Sequence, residues 1–223
     1  MRGLKQIEPR ETAHVIEGLR FALHSVRASF RILKNRSFEI ENLSGKENNF
    51  DLCFETINCC WSIVDHANRA RQLVESKHLI GVDKSARKLF LIATIALNDI
   101  RNVFHHLSGR SKQLGDSSAP VMGSICWISR KDAQKCYTLI LSSGAVLSQY
   151  HSLTYDRLDR RFLGDFTFSA FGKSVQLADL VDATGQFESA LEKFLERIGA
   201  LLETEVQGIA LSMHFSGDPE SST

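Results

Sequence analysis

The sequence predicts a mainly α fold: a bundle of four long helices with a small antiparallel β insertion before the last one, arranged as a single domain over residues 1–223. Three observations carry this expectation. Apolar residues recur at three- and four-residue spacing through four long stretches, the pattern of helices with one buried stripe. Only three prolines interrupt the chain, which leaves room for long helices. Between the third and fourth stretches the texture changes to short runs of Val, Ile, Tyr, Phe and Trp, residue types that favour strands.

The first helix is expected over about residues 11–34, where Val15, Leu19, Ala22, Val26, Phe30 and Leu33 form the apolar stripe. Residues 35–49, with Ser44, Gly45 and a polar run, read as a connecting loop. A second helix is expected over about 50–75, with Phe54, Ile57, Trp61 and Val64 facing inward and a polar tail of Asp65, His66, Asn68, Arg69 and Arg71. Gly81 and Asp83 separate it from a third helix over about 84–107, with Asp83 as N-cap. Leu89, Ala93, Ala96, Ile100 and Phe104 line one face of that helix. Short runs at 121–129, 136–142 and 166–171, bounded by turn residues, make 119–172 a β-rich insertion. Helical spacing returns over about 180–205 through Phe187, Leu191, Phe194, Ile198, Leu201 and Leu202. Residues 216–223 read as a flexible tail.

Composition narrows the function classes. The chain has 27 Lys and Arg against 26 Asp and Glu, a net charge of +1, far from the basic excess that a coat for duplex DNA requires. No apolar run reaches the roughly 18 residues of a membrane span, and the first ten residues carry no apolar leader. The expected setting is therefore cytoplasmic, with no membrane association. The five cysteines are odd in number and none is spaced as CxxC, so reduced thiols are expected and no metal site or other cofactor is. A P-loop, an HExxH motif and a serine nucleophile elbow are not found in the sequence.

The densest set of reactive side chains closes the third helix: Asp99, Arg101, Asn102, His105 and His106. Asn102 and His106 are four positions apart and share a helix face, as do Arg101 and His105. Arg101 and His106 are about 140° of rotation apart. They therefore flank a common edge instead of stacking.

Arg101-Asn102-Val103-Phe104-His105-His106 reads RNxxxH, which resembles the signature of the HEPN superfamily. That resemblance implies a compact helical bundle that dimerises so that two copies of the motif face each other. It implies metal-independent endoribonuclease activity in many members, often as toxins or antiviral defence effectors, sometimes with an antitoxin or other protein partner. Other members bind nucleotides or serve as scaffolds. Carried onto this chain, Arg101, Asn102 and His106 become the catalytic set. Asp65 and Arg69 are similar to a polar patch that some bundles of the group place beside the motif, and with His105 they become supporting residues.

The chemistry can be stated without the family. Cleavage of RNA by its own 2′-hydroxyl needs a group that exchanges a proton near neutral pH, which histidine does. It also needs a fixed cation where charge grows on the phosphoryl oxygens, a role that suits a guanidinium. The alternative is structural. Arg101 can pair with an acid to fix helix register, and histidines near a helix C-terminus interact favourably with its dipole. An antiparallel third helix runs its start beside the end of the second, and end matching of this kind sets Asp65 away from Arg101.

Overall fold

The computed structural model describes residues 2–5, 7, 9–43, 49–79, 81–105, 122–141, 155–156, 161–162, 165–171 and 173–205. Five helices carry most of them: α1 (Arg10–Asn42), α2 (Phe50–Val74), α3 (Lys84–Ala93), α4 (Ile95–His105) and α5 (Leu177–Arg197). The strands are β1 (Arg2–Leu4), β2 (Ser124–Ile128), β3 (Cys136–Ile140), β4 (Tyr155–Asp156), β5 (Arg161–Phe162), β6 (Thr167–Ala170), β7 (Lys173–Gln176) and β8 (Leu201–Glu205).

The α1 helix outruns its expected end by two turns. Residues 35–42 hold only Phe38 and Ile40 as apolar residues, too few to continue the stripe, and the partners of Glu41 lie in the sheet. Glu41 is buried at the end of α1, where its carboxylate accepts from Trp127 Nε1 at 3.0 Å, from Ser129 Oγ at 2.9 Å and from the Arg130 amide. A buried carboxylate is tolerated only when its oxygens are hydrogen-bonded, and these donors meet that demand while pinning β2 to the helix.

The α2 helix runs antiparallel to α1, with Ser29 Oγ 2.9 Å from Ser62 Oγ and Arg36 2.9 Å from Glu55. Asn49 caps its start, accepting from the Leu52 amide at 3.0 Å. Asp83 caps α3 as expected, its Oδ1 accepting from the Ala86 amide at 2.8 Å. The expected third helix is, however, two helices, broken at Thr94. There the Thr94 hydroxyl bonds back to the Phe90 carbonyl at 2.8 Å while Arg71 Nη1 reaches from α2 to the Leu91 carbonyl. Side chains that compete for helix carbonyls bend or break the ladder.

The expected fourth helix ends early. Gly199 takes φ +66, its amide donates to the Glu196 carbonyl at 2.9 Å, and the Ala200 amide donates to the Leu195 carbonyl at 2.9 Å. This is the Schellman arrangement that glycine favours. Leu201 and Leu202 then belong to β8, which pairs antiparallel with β1.

The β structure is not one small insertion. A four-stranded antiparallel sheet has the order β3-β2-β6-β7, β1 and β8 form a separate ribbon, and β4 pairs with β5. The ribbon and β7 fall outside residues 119–172.

Two apolar clusters result. In one, Val26, Leu33, Ile57, Trp61, Leu97 and Ile100 pack against Trp127, Phe166 and Phe168 of the sheet region. In the other, Ile16, Leu19 and Leu23 of α1 meet Phe90 of α3 and Phe187 and Leu191 of α5, with the Phe90 and Phe187 rings stacked at 5.2 Å. The expected stripes hold at most positions. Phe54, Leu89, Ile198 and Leu202 are instead exposed, and the inward face of α3 is set by Phe90.

Candidate functional site

The α2 and α4 helices run antiparallel. Arg71 near the end of α2 sits opposite the break, donating from Nη1 to Thr94 Oγ1 at 3.1 Å. Six residues earlier on α2 and seven later on α4, Arg101 Nε donates to Asp65 Oδ1 at 3.1 Å. The side chains are 26% and 41% exposed, so the pair lies at the surface where α2 and α4 meet. This corrects the expectation that Asp65 sits away from Arg101. Register between α2 and α4 is set by the Arg71–Thr94 contact at the break, and from it Asp65 and Arg101 lie at nearly equal distances along the two helices.

The remaining candidates divide. Asn102 is half-buried on α4, one residue beyond Arg101, and Arg69 is exposed one turn beyond Asp65. His105 is the last residue of α4. His106, together with residue 107 of the expected helix and the tail 216–223, lies outside the described residues. Asp99 is on the outer face of α4, 3.7 Å from Lys173 of β7, so the sheet contributes a cation beside the helix that carries the motif. No periodicity in the sequence pointed to Lys173.

Two further α2 side chains have unusual surroundings. His66 packs its ring edgewise against Phe21 of α1 at 5.9 Å. Burial pushes its pKa below the ordinary value of 6.5, nearby Arg69 pushes in the same direction, and Asp65 opposes both. Its Nδ1 is buried with no hydrogen-bond partner among the described residues, as is Nδ2 of Asn68, a residue only 1% exposed. Buried polar atoms without a partner are uncommon in folded chains. Both lie on the polar tail of α2 that the sequence singled out.

Chemically the surface offers one guanidinium held by one carboxylate. The bond engages Nε of Arg101, so the two terminal nitrogens are not part of it, and a guanidinium fork of this kind is suited to phosphate oxygens. Among the described residues, no group of three or more His, Cys, Asp or Glu side chains is arranged to hold a metal ion. All five cysteines are free thiols, and burial holds the Cys60 thiol well above its ordinary pKa. His14 and His24 are exposed on α1. No helix among the described residues is long and apolar enough to cross a membrane.

Fold and surface together define a mainly helical bundle with an antiparallel sheet packed on one end and an Arg–Asp pair bridging two of its helices. Compared with protein families, with curated proteins and with solved structures, the chain matches none.

Proposed function

We propose that the chain is a HEPN-like, metal-independent endoribonuclease that acts as a homodimer. Arg101 stabilises the charge that grows on the phosphoryl oxygens, Asn102 orients the imidazole or binds phosphate, and His106 takes the proton from the substrate 2′-hydroxyl. O2′ then attacks phosphorus, the bond to O5′ breaks, and the matching histidine of the second subunit protonates the leaving oxygen. The products are a 2′,3′-cyclic phosphate and a 5′-hydroxyl. His105, Asp65 and Arg69 support the set, and a toxin or antiviral defence role follows from the resemblance of the motif.

The observation that carries this reading is the Arg101 guanidinium, tethered through Nε by a half-exposed carboxylate on a neighbouring helix. A cation fixed in advance costs no reorganisation when charge develops beside it. The test is incubation with a mixed-sequence RNA in excess chelator, followed by end-group analysis. Cyclic phosphate ends should form with wild type and disappear with Arg101→Ala and with His106→Ala. Cleavage that survives both substitutions, or 3′-hydroxyl products, overturns the reading.

The same ion pair favours a second reading: a non-catalytic dimeric bundle that binds a protein partner or a nucleotide, with Arg101 and Asp65 fixing helix register. A wild-type chain that leaves RNA intact while Arg101→Ala lowers only thermal stability supports it.

A further inference from the structure

The two most exposed aliphatic side chains among the described residues are Ile95 at 68% and Ile92 at 57%, and they stand together where α3 gives way to α4. With the half-buried Leu91 they line a groove of about 330 Å³ that Lys84, Arg87 and Lys88 also border. Ile92 lies one turn beyond Lys88 and two turns beyond Lys84, so a single edge passes from cationic side chains at the start of α3 to apolar ones at its end.

The cations are uncompensated. Among the described residues, no carboxylate comes within ion-pair distance of Lys84, Arg87 or Lys88, and α3 itself contains no acidic residue. Asp83, which precedes it, is engaged in capping the helix. Arg71, which also borders the groove, pairs with Glu75 at 2.9 Å and donates to Thr94.

Exposed aliphatic surface gains by burial, and the charge decides what can cover it. A second copy of the chain docked here about a twofold axis would set three cations against three cations. A bilayer is flat and would meet the exposed Ile92 and Ile95 while leaving the half-buried Leu91 uncovered. A helix with side chains projecting along one edge can fill the groove, and carboxylates flanking that edge would meet the three cations. The ten residues of α3 give about 15 Å of track, roughly three turns of a partner helix.

We propose that this groove docks a short acidic amphipathic helix of a partner protein. Aliphatic side chains of the partner seat between Ile92 and Ile95, and its carboxylates face Lys84, Arg87 and Lys88. The inference stands apart from the ribonuclease reading, since none of these residues belongs to the Asp65–Arg101 surface.

The probe is a fluorescein-labelled synthetic helix with Leu at i, i+4 and i+7 and Glu on both flanks, titrated with the full-length chain and followed by anisotropy. Saturable binding that weakens as salt is raised is expected. Affinity should fall at least about tenfold in the double variant Ile92→Ser/Ile95→Ser and likewise in Lys84→Glu/Lys88→Glu. The second variant should also gain affinity for the same peptide carrying Lys in place of Glu. These side chains are exposed, so both variants should melt with wild type, which separates loss of the groove from loss of the fold. Absence of binding, equal binding of a sequence-scrambled peptide, or unchanged affinity in both variants overturns the proposal. Pelleting with phosphatidylserine vesicles in place of peptide binding also overturns it, in favour of a lipid surface.

Discussion

Arg101 Nε donates to Asp65 Oδ1 across 3.1 Å and ties α4 to α2 one turn before α4 ends. The pair is half-exposed, so water screens it and its contribution to stability is small. A double-mutant cycle over Asp65→Ala and Arg101→Ala should return a coupling of about 0.5 kcal/mol by urea denaturation. Activity should respond far more if Asp65 positions the guanidinium for RNA. Asp65→Asn should then lower kcat about tenfold with KM little changed, a split that a purely structural pair does not produce.

Glu41 presents the opposite balance. It is buried, and removing its carboxylate leaves Trp127 Nε1, Ser129 Oγ and the Arg130 amide without their acceptor. Orphaned buried donors each cost about 1–3 kcal/mol. Glu41→Ala should therefore destabilise the chain by about 3 kcal/mol. Glu41→Gln, which keeps one acceptor oxygen, should cost about half as much. Thermal melts of the two variants beside wild type check the order, and equal melting temperatures would remove Glu41 as the pin between α1 and β2.

These two residues mark the limits of what the sequence made legible. Helix existence was legible, because burying one face imposes a three- and four-residue spacing that survives in the chain itself. The end of α1 was not, since the partners of Glu41 lie 86 and 88 residues away and leave no local trace. The end of α5 was written at Gly199, but the leucines behind it imitate one more helical turn and belong to β8. The β1–β8 ribbon joins three- and five-residue strands from opposite ends of the described chain, and strands that short show no alternation to read. At the candidate site, Arg101 and Asp65 were both named from the sequence, but their meeting depends on the break at Thr94, where Arg71 sets α4 in register with α2. Lys173, brought beside Asp99 by the sheet, depended on tertiary structure alone.

His66 makes stability depend on pH. Its folded-state pKa lies below the ordinary 6.5, through burial and then Arg69. As pH falls through that value, the unfolded chain takes up the proton before the folded chain does, so folding loses free energy on the acid side. The contribution is complete above about pH 6.5 and declines as pH drops toward the folded value. Replacing the imidazole by His66→Gln should flatten that part of the curve. Urea midpoints for both chains, stepped from about pH 7 to about pH 5, should converge as the pH falls, and parallel curves would contradict the assignment.

Two glycines should respond in opposite directions to the same substitution. Gly123 precedes β2 at φ +87, and a Cβ there would lie 2.7 Å from the Phe168 ring and 3.1 Å from the Ser169 carbonyl oxygen. The backbone conformation disfavours an L side chain by about 1 kcal/mol, and crowding a packed site adds about 1–3 kcal/mol. Gly123→Ala should lower the melting temperature by roughly 6–12 °C. Gly185 lies inside α5 with nothing within 4 Å of an added Cβ. There alanine gains helix propensity and narrows the unfolded ensemble, so Gly185→Ala should stabilise by about 0.5–1 kcal/mol. Differential scanning calorimetry on both variants reads the two signs directly. A destabilised Gly185→Ala would place an unseen neighbour against that face of α5, whereas an unaffected Gly123→Ala would require Phe168 to move aside and loosen its edge contact with Trp61.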